Sequence, residues 1–424
     1  MGLMPDTTIE DLGIRKIFNS RGEETVEVEV YLTDGYGRAA APAGASRGSH
    51  EVVYFPNNDV DLAISTFEKS VAPDLMGLDA SIQGEVDTRL EEIDGTENFS
   101  RIGGAVAIAT SMATARAASN ALEIPLYQHL GGANIRDLPY PLGNVIGGGK
   151  HSRGLGPDIQ EFLVLPYGAQ DIYSALKANI EVHRAVFKEL VKADPTFTGG
   201  RNDEGAWSAR ISTNTALDIL SRAVKEVSSK MGFEIGIGVD MAASTLWNGE
   251  KYVYTNEGVS RTPREQLEFV KGLIEKYGLV YVEDPFHEED FQSFAELTDS
   301  VGDKCLIVGD DLFTTNPSRL SRGIKEGAAN AIIIKPDQIG TLSRAWEAVR
   351  LAVSNGYVPV VSHRSGDTEY EILAHIAVGF GAPIIKSGVL GGERIAKLNE
   401  LIRIQDYMGK AARMNQSLAQ RLKR

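Results

Sequence analysis

The chain has 424 residues, more than one compact domain usually holds, which predicts two domains. Hydrophobic residues make up 42% and charged residues 24%, as is typical of a globular protein. The formal net charge of -15 argues against nucleic acid or an anionic membrane surface as a partner, because both bind clustered positive charge. An anionic small molecule is not excluded, since a single site can be locally basic.

The N-terminal region contains one strictly alternating segment, TVEVEVYL at residues 25–32, which predicts a half-buried antiparallel strand. Its valines lie on one face, and Thr25, Glu27 and Glu29 lie on the other. Residues 59–130 that follow are typical of a run of helices.

A segment rich in glycine and proline, LGGANIRDLPYPLG at residues 130–143, is the favoured domain boundary. It divides the chain into residues 1–138 and residues 139–424. Cys305 is the only cysteine, so no intramolecular disulfide can form. Because the first residues also lack the apolar core of a signal peptide, a cytoplasmic location is expected.

Beyond the boundary, short apolar runs alternate with amphipathic helical stretches such as residues 263–278 and 341–356. Each of these stretches ends at a glycine, as a helix commonly does. Near-continuous apolar strands are typical of a parallel sheet covered on both faces. The runs are IQEFLVLP (159–166), IGIGVD (235–240), LVYVE (279–283), CLIVGD (305–310), AIIIK (331–335), VPVVSH (358–363) and APIIK (382–386).

Most of these runs end in an ionisable residue. In a closed α/β barrel of about 250 residues, polar side chains at the carboxyl ends of the strands point into the active site. A single case would be an ordinary solvated strand end, but a repeated pattern, with most members about one strand–helix unit apart, predicts a ring of charges at a barrel mouth. The members are Asp240, Glu283, Asp310, Lys335, His363 and Lys386.

The three carboxylates of this ring, Asp240, Glu283 and Asp310, would repel one another without a cation. Hard oxygen ligands favour Mg²⁺, or Mn²⁺, and the alternative is a salt-bridge cluster with Lys335 and Lys386. A divalent cation beside two lysines suits a reaction that builds negative charge, such as removal of a proton next to a carboxylate. A lysine could act as the base only if neighbouring cations lowered its pKa from about 10.4.

Residues after the strand at 358–363 suit phosphate, because Arg364 offers a guanidinium fork and Ser365 a hydroxyl. The glycine-rich segment GGGKHS at 147–152 does not match a P-loop. Asn144 stands where the first glycine belongs, and His151 follows the lysine.

The chain resembles the enolase family over almost its whole length. The resemblance is far more specific than any single motif, and the last matching segment is most similar to archaeal members. The matching segments are NSRGEETVEVEV, GTENFSRIGG, DIQEF, NDEGA, VEDPF, VGDDLF, IKPDQIGT, VSHRSGDTE and GERIAKLNELIRI.

The resemblance implies an α/β fold, a modified eight-stranded (β/α)8 barrel carrying a smaller N-terminal α+β domain. It also implies a carbon–oxygen lyase of glycolysis, a phosphopyruvate hydratase that converts 2-phosphoglycerate to phosphoenolpyruvate. Two Mg²⁺ ions, the second bound with substrate, and a homodimer or larger homo-oligomer follow from it as well.

The resemblance assigns roles residue by residue. Lys335 would be the base, and Glu204, assisted by Glu161, the acid that protonates the departing hydroxyl. The other implied site residues are the metal ligands Asp240, Glu283, Asp310 and Ser46, the substrate ligands Lys386, Arg364, Ser365 and Gln160, and the lining histidines His151 and His363.

The segments expected to close over the site depart from the family pattern. Arg47, Arg153 and Arg201 are changed or added there, and Asp337 stands where asparagine is usual. The arginines are explained equally well by surface drift or by an additional anion, for which Arg47 would be a substrate ligand.

The sequence therefore leaves two alternative functions open. One is a specialised relative such as carboxyphosphonoenolpyruvate synthase, which couples 2-phosphoglycerate with phosphonoformate in phosphonate biosynthesis. The other is an inactive enolase-fold binding protein, against which the intact acid, base and metal residues argue.

Overall fold

The computed structural model describes residues 5–45, 47–152 and 156–423, and of His151 the backbone alone. Two predicted residues, Ser46 and Arg153, lie outside the described residues. Across the described ranges, no helix combines the length and the apolar character that a membrane crossing requires.

The N-terminal part is a three-stranded antiparallel sheet, ordered β1-β2-β3, covered by helices. In the described residues its elements are β1 (Ile9–Phe18), β2 (Glu24–Leu32), β3 (Tyr36–Ala40), α1 (Val60–Thr66), α2 (Ala72–Leu75), α3 (Gln83–Asp94), α4 (Gly104–Ala121) and α5 (Leu126–Gly131).

The alternating strand β2 is antiparallel to both neighbours, as predicted, but the expectation that it is half-buried is wrong. Glu27 and Glu29 are only 5% and 8% exposed. Their face is buried because Arg15 on β1 pairs with both carboxylates, and the Tyr36 hydroxyl donates to Glu29 Oε1 at 2.6 Å. Buried carboxylates are tolerated where such partners satisfy them. Alternation alone does not show whether the polar face meets solvent or partners.

The rest of the chain forms a closed barrel ordered β5-β6-β7-β10-β11-β12-β13-β14, with β14 hydrogen-bonded back to β5. Its elements, over the described residues, are β4 (Asp137–Leu138), β5 (Tyr140–Gly147), β6 (Glu161–Leu165), α6 (Ile172–Ala193), α7 (Thr213–Met231), β7 (Gly236–Asp240), β8 (Tyr252–Tyr254), β9 (Val259–Arg261), α8 (Pro263–Tyr277), β10 (Leu279–Glu283), α9 (Phe291–Val301), β11 (Leu306–Gly309), α10 (Pro317–Glu326), β12 (Ala331–Ile334), α11 (Pro336–Ile339), α12 (Leu342–Ser354), β13 (Val358–Ser362), α13 (Ile372–Gly379), β14 (Ile384–Gly388), α14 (Gly392–Met408), β15 (Arg413–Met414) and α15 (Gln416–Leu422).

Every predicted apolar run overlaps a barrel strand, and the predicted eight-stranded barrel with a smaller N-terminal α+β part is confirmed. The eighth strand, β5, was not predicted, because Pro141 and Gly143 made its first half resemble a linker. Gly143 lies where a side chain would collide with the Asn179 amide on α6, whose Nδ2 donates to the Pro141 carbonyl at 2.9 Å. Here glycine permits close packing of a helix on a strand.

Strand β6 runs antiparallel to both β5 and β7, whereas the apolar pattern predicted parallel strands throughout. A single crossover helix returns the chain for a parallel strand. Two helices, α6 and α7, connect β6 to β7 and bring the chain back to the end where β6 finished. The first residue of β6, Glu161, therefore lies at the same end of the barrel as the last residues of the parallel strands.

Candidate active site

The carboxyl ends of the barrel strands carry a ring of buried ionisable side chains, as predicted. Glu161 pairs in register with Asp240, and Asp240 with Glu283, so these carboxylates lie side by side on β6, β7 and β10. The pocket at this end is lined by Gly44, Ala45, Gln160, Glu161, Glu204, Asp240, Asp310, Lys335, Ser362, His363, Arg364, Ser365 and Lys386.

Lys386, on β14, lies among the carboxylates. Its Nζ donates to Asp240 Oδ2 at 2.9 Å and to both oxygens of Glu283 at 2.8 Å, and it lies 3.2 Å from Glu161 Oε2. Burial lowers the pKa of Lys386, but the carboxylates of Asp240, Glu161 and Glu283 outweigh it and hold that pKa well above its ordinary value. Lys386 is therefore a fixed cation of the pocket.

Lys335 follows β12 and donates to Asp310 Oδ2. The other oxygen of Asp310 accepts from Gln338 Nε2 at 3.0 Å. Thr315 Oγ1 accepts from the Lys335 backbone N–H at 2.9 Å and donates to Gln338 Oε1 at 2.7 Å, so it orients the amide. Lys335, just after β12, and the Gln338 amide on α11 thus both bind the carboxylate of Asp310, which follows β11.

The pKa of Lys335 responds to opposing neighbours. Burial lowers it, and Arg364 and Lys386 lower it further; of these causes, the sequence predicted only the second lysine. Asp310 opposes them, and the net pKa lies above the ordinary value for lysine. The predicted fall of this pKa is therefore not seen while Asp310 is the partner of the ammonium group.

The opposite side of the pocket carries the predicted acid pair. Glu204 is 4% exposed, and its Oε2 accepts from Asn144 Nδ2 at 3.0 Å and lies 3.6 Å from His363 Nε2. Burial and the Glu204 carboxylate raise the pKa of Glu161 well above its ordinary value. Gln160 lies beside them, and its buried Oε1 has no hydrogen-bond partner among the described residues.

Arg364 and Ser365 occupy a third side, next to the loop from the N-terminal part. Arg364 donates to Glu51 Oε2 at 2.9 Å, and its Nε lies 3.3 Å from Asp337 Oδ2. Burial raises the pKa of Asp337 to about 6 in spite of Arg364. Ser365 Oγ accepts from the Ala45 backbone N–H at 2.6 Å, which ties the loop to the barrel.

The predicted metal ligands Asp240, Glu283 and Asp310 lie at the same end of the barrel, but they do not form one compact cluster. Among the described residues, the group of three whose ligand atoms lie within 4.8 Å of one another is Asp284, Asp310 and Asp311. Both oxygens of Asp284 accept backbone N–H groups, from Asp310 at 2.9 Å and Asp311 at 2.8 Å. Asp284 thereby positions Asp310, whereas Asp240 and Glu283 are joined through Lys386.

The donor set nevertheless suits a hard divalent cation. Its oxygens are all carboxylate, the ligand type that Mg²⁺ prefers. Burial and the Asp240 carboxylate raise the pKa of Glu283 to about 8, which shows how strongly this cluster resists full ionisation without further positive charge. The pocket therefore fits the predicted metal.

Arg47 and Arg201, the two described lid arginines, are exposed. The Arg47 guanidinium lies over the Tyr54 ring, 4.4 Å from its centroid, and Arg47 is not among the residues that line the pocket. A cation over an aromatic face is a stable arrangement that needs no anion.

Some residues that shape the site were not predicted. The sequence predicts no role for Asn144 or for Gln338, which stands in the IKPDQIGT segment. Glu51 comes from the N-terminal part and Arg394 from α14. Sequence spacing gave no signal for these contacts, which join residues 60 or more positions apart in two cases, Asn144 with Glu204 and Glu51 with Arg364.

The mouth of this α/β barrel combines buried lysines with carboxyl groups, and the α+β part helps to close it. These features define an enzyme equipped to move protons beside an anionic substrate. Two family models match the chain: "Enolase, N-terminal domain" over residues 9–130 and "Enolase, C-terminal TIM barrel domain" over residues 136–422.

Similar proteins named enolase occur in several archaea. The chain is 63% identical over 414 residues to the one from Pyrobaculum aerophilum, covering 96% of this chain and 99% of that one. It is 53% identical over 403 residues to the one from Methanothermobacter thermautotrophicus, covering 95% and 97%. The chain belongs to the enolase family.

Proposed function

We propose that this pocket catalyses the Mg²⁺-dependent loss of water from 2-phosphoglycerate to give phosphoenolpyruvate. The chain is a carbon–oxygen lyase of the phosphopyruvate hydratase type. The observation that carries the assignment is the placement in one pocket of an amine, a carboxyl pair on another side and two further cations. This arrangement matches a substrate with two anionic ends and a proton and a hydroxyl on adjacent carbons.

Lys335 is proposed to take the proton from the α-carbon of the substrate. The amine must first be neutral, and its main anionic partner is Asp310. A cation bound at Asp310 would weaken the interaction that raises the pKa of Lys335, while Arg364 and Lys386 would continue to lower that pKa. The electron pair of the broken C–H bond then moves toward the substrate carboxylate, which Lys386 holds.

Glu204 is proposed to give its proton to the β-hydroxyl, which leaves as water as the carbon–carbon double bond forms. A carboxyl group can donate at neutral pH only if it retains its proton. The nearby Glu161 supports this, because two buried carboxyl groups so placed do not both ionise readily. Asn144 orients Glu204 by donating to one of its oxygens.

Arg364 and Ser365 are proposed to bind the substrate phosphate, with Gln160, His151 and His363 lining the cavity. Arg364 would exchange its contacts with Glu51 for phosphate oxygens, a bidentate interaction that guanidinium favours. Asp240, Glu283 and Asp310 are proposed to hold the first Mg²⁺, and Ser46 the second when substrate is bound. Bound Mg²⁺ supplies positive charge that stabilises the charge developing on the substrate carboxylate.

Other features of the whole protein are proposed on the same basis. We propose a domain boundary at 138/139; the first family model ends at 130, and the second begins at 136, shortly before this boundary. We also propose a homodimer or larger homo-oligomer in the cytoplasm, for which light scattering and cell fractionation are the measurements. Among the described residues, no contact of Arg47 favours the phosphonate-type alternative, because the Arg47 guanidinium lies over the Tyr54 ring.

Two variants separate the base from the acid. Lys335→Ala should stop exchange of the substrate α-proton with solvent and lower turnover by about 10²–10⁴-fold. Glu204→Gln should preserve much of that exchange while blocking loss of the hydroxyl. Proton NMR of 2-phosphoglycerate in deuterated water measures exchange, and absorbance of phosphoenolpyruvate measures elimination.

Lys325→Ala, which removes an exposed lysine from α10, is the matched control and should change neither rate. If Glu204→Gln abolished exchange and elimination to the same extent, the separate roles proposed for the two residues would be wrong.

A further inference from the structure

Arg394 is a fully buried cation in the first turn of α14. Its terminal nitrogens donate to the carbonyl oxygens of Arg364 at 2.6 Å, Ser365 at 2.8 Å and Asp203 at 3.1 Å. It therefore joins the loop that carries the proposed phosphate ligands to the loop that carries the proposed acid. These contacts alone would explain a structural role.

One further contact of Arg394 has chemical consequences. Its Nη1 lies 2.7 Å from His363 Nδ1. A guanidinium in a protein keeps its protons and has no acceptor, so Nδ1 must accept with its lone pair. The Gly388 backbone N–H, 3.4 Å from the same atom, is a second donor directed at it. A proton on Nδ1 would face both of these donors.

The state of His363 follows from these contacts. An imidazolium would carry a proton on Nδ1, so it is excluded by the same argument. Burial and the adjacent Arg394 hold the pKa of His363 well below its ordinary value, with Lys386 and Lys397 acting in the same direction and Glu204 opposing them. A neutral ring with a bare Nδ1 carries its one proton on Nε2.

The Nε2 atom is the one that faces the acid, 3.6 Å from Glu204 Oε2. With a proton on Nε2, the ring presents a donor to that carboxyl group and stabilises the carboxylate left after proton transfer. In the other tautomer a bare Nε2 would face Glu204 and compete with the substrate hydroxyl for its proton.

We propose that Arg394 is a positioning residue that holds His363 as the neutral Nε2–H tautomer, so that the acid Glu204 faces a hydrogen-bond donor and not a competing base. The inference rests on the proposed role of Glu204. The effect of Arg394 on the reaction is exerted through His363 and does not require contact with substrate.

Long-range ¹H–¹⁵N NMR of protein labelled at its 7 histidines tests the tautomer directly. His363→Asn identifies the signals by their loss. In the unmodified protein at about pH 7 we expect a protonated Nε2 and an unprotonated Nδ1. A protonated Nδ1 on His363 would overturn the proposal whatever the activity of the enzyme, so this outcome is distinct from failure of the proposed reaction.

The variant Arg394→Met removes the donor, and we expect a mixture of tautomers with kcat lower by about 10–100-fold and KM changed far less. Arg394→Lys keeps a cationic donor and should restore the Nε2–H signature at least in part. A folded Arg394→Met protein with the tautomer of the parent would overturn the proposal. If that variant does not fold, the spectra of the parent and of Arg394→Lys decide.

Lys397→Met is the matched control. Lys397 lies one turn further along α14, is 2% exposed, and donates to the carbonyls of Thr368 at 2.9 Å and Tyr370 at 2.8 Å. It is buried and cationic like Arg394, but makes no hydrogen bond to the His363 ring. Its loss should lower stability and leave the tautomer unchanged, whereas a tautomer shift here would assign the effect of Arg394 to packing alone.

Discussion

Asp337 places a carboxylate against Arg364, the side chain proposed to receive the substrate phosphate. The two form a buried ion pair, with Arg364 Nε 3.3 Å from Asp337 Oδ2. The pKa of Asp337 is nevertheless raised to about 6, because burial and the nearby Glu51 outweigh the attraction of Arg364. An ionised Asp337 would therefore repel an incoming phosphate. Its ionisation would also lower the free energy of unfolding.

Asp337→Asn should increase stability in a pH-dependent way. Because the folded-state pKa is raised, the protonated carboxyl contributes fully below the unfolded value of 3.8, and this contribution is lost as pH rises through about 6. The free energy of unfolding of the variant should therefore increasingly exceed that of the parent as pH rises from 3.8 to about 6. At higher pH the difference should reach roughly 3 kcal/mol. Urea unfolding at several pH values measures it.

The same variant should lower the KM for 2-phosphoglycerate above the pKa of Asp337, since one negative charge near the phosphate is removed. Assays on both sides of that pKa provide an internal control, because a protonated aspartic acid resembles asparagine. A stability difference that did not change with pH would contradict the assignment of the raised pKa to Asp337.

Glu283 and Asp240 show how neighbouring strands create the chemistry of the cluster. Each is the last residue of its strand, and their Cα atoms pair in register, so the two carboxylates are held side by side. Burial and Asp240 raise the pKa of Glu283 to about 8. A metal ion requires the ionised form, so its binding should displace protons.

Titration calorimetry of the metal-free protein with Mg²⁺ tests this coupling. In buffers of different ionisation enthalpy near pH 7, binding should release up to about one proton per ion, and affinity should rise as pH approaches 8. Chelation should abolish turnover, and Mg²⁺ should restore it. Glu283→Gln is the control and should weaken binding and remove most of the proton release; proton release unaffected by that change would show that another group is displaced.

Local sequence patterns predicted the barrel strands and the charges at their ends, because apolar runs and their last residues are properties of single elements. The position of Glu161 could not be predicted in this way, since it depends on the reversed direction of β6 and thus on the two-helix connection α6–α7. Strand β5 was missed because Pro141 and Gly143 are linker residues elsewhere. The contact of Arg394 with His363 depends on the packing of α14 against a loop, which no periodicity records.

Both parts of the chain contribute to the candidate site. Ala43 and Gly366 exchange two backbone hydrogen bonds, at 2.7 and 2.8 Å, and Glu51 pairs with Arg364. Further from the site, Asp87 on α3 accepts from the Ser343 backbone N–H at 2.9 Å and from its hydroxyl at 2.6 Å, at the start of α12. Asp87 is fully buried and Ser343 is half-buried, and these bonds connect the two parts.

Asp87→Ala should reduce the free energy of unfolding by about 1–3 kcal/mol, because it removes the buried acceptor of two hydrogen bonds from the half-buried Ser343. Glu91→Ala is the control, since Glu91 lies one turn further along α3 and binds Arg344 of the same helix α12, at 2.7 and 2.9 Å. That pair is partly exposed, its side chains 33% and 25% accessible, and such pairs contribute about 0.2–1 kcal/mol. Denaturant unfolding compares the variants. Far-UV circular dichroism follows the whole chain, whereas the tryptophans Trp207 and Trp247 lie in the barrel part, and Trp346 lies on α12, where the barrel part meets α3. If the two parts unfold as one unit through this contact, both signals should move together in Asp87→Ala; equal losses in the two variants would show that burial of Asp87 contributes nothing beyond its charge.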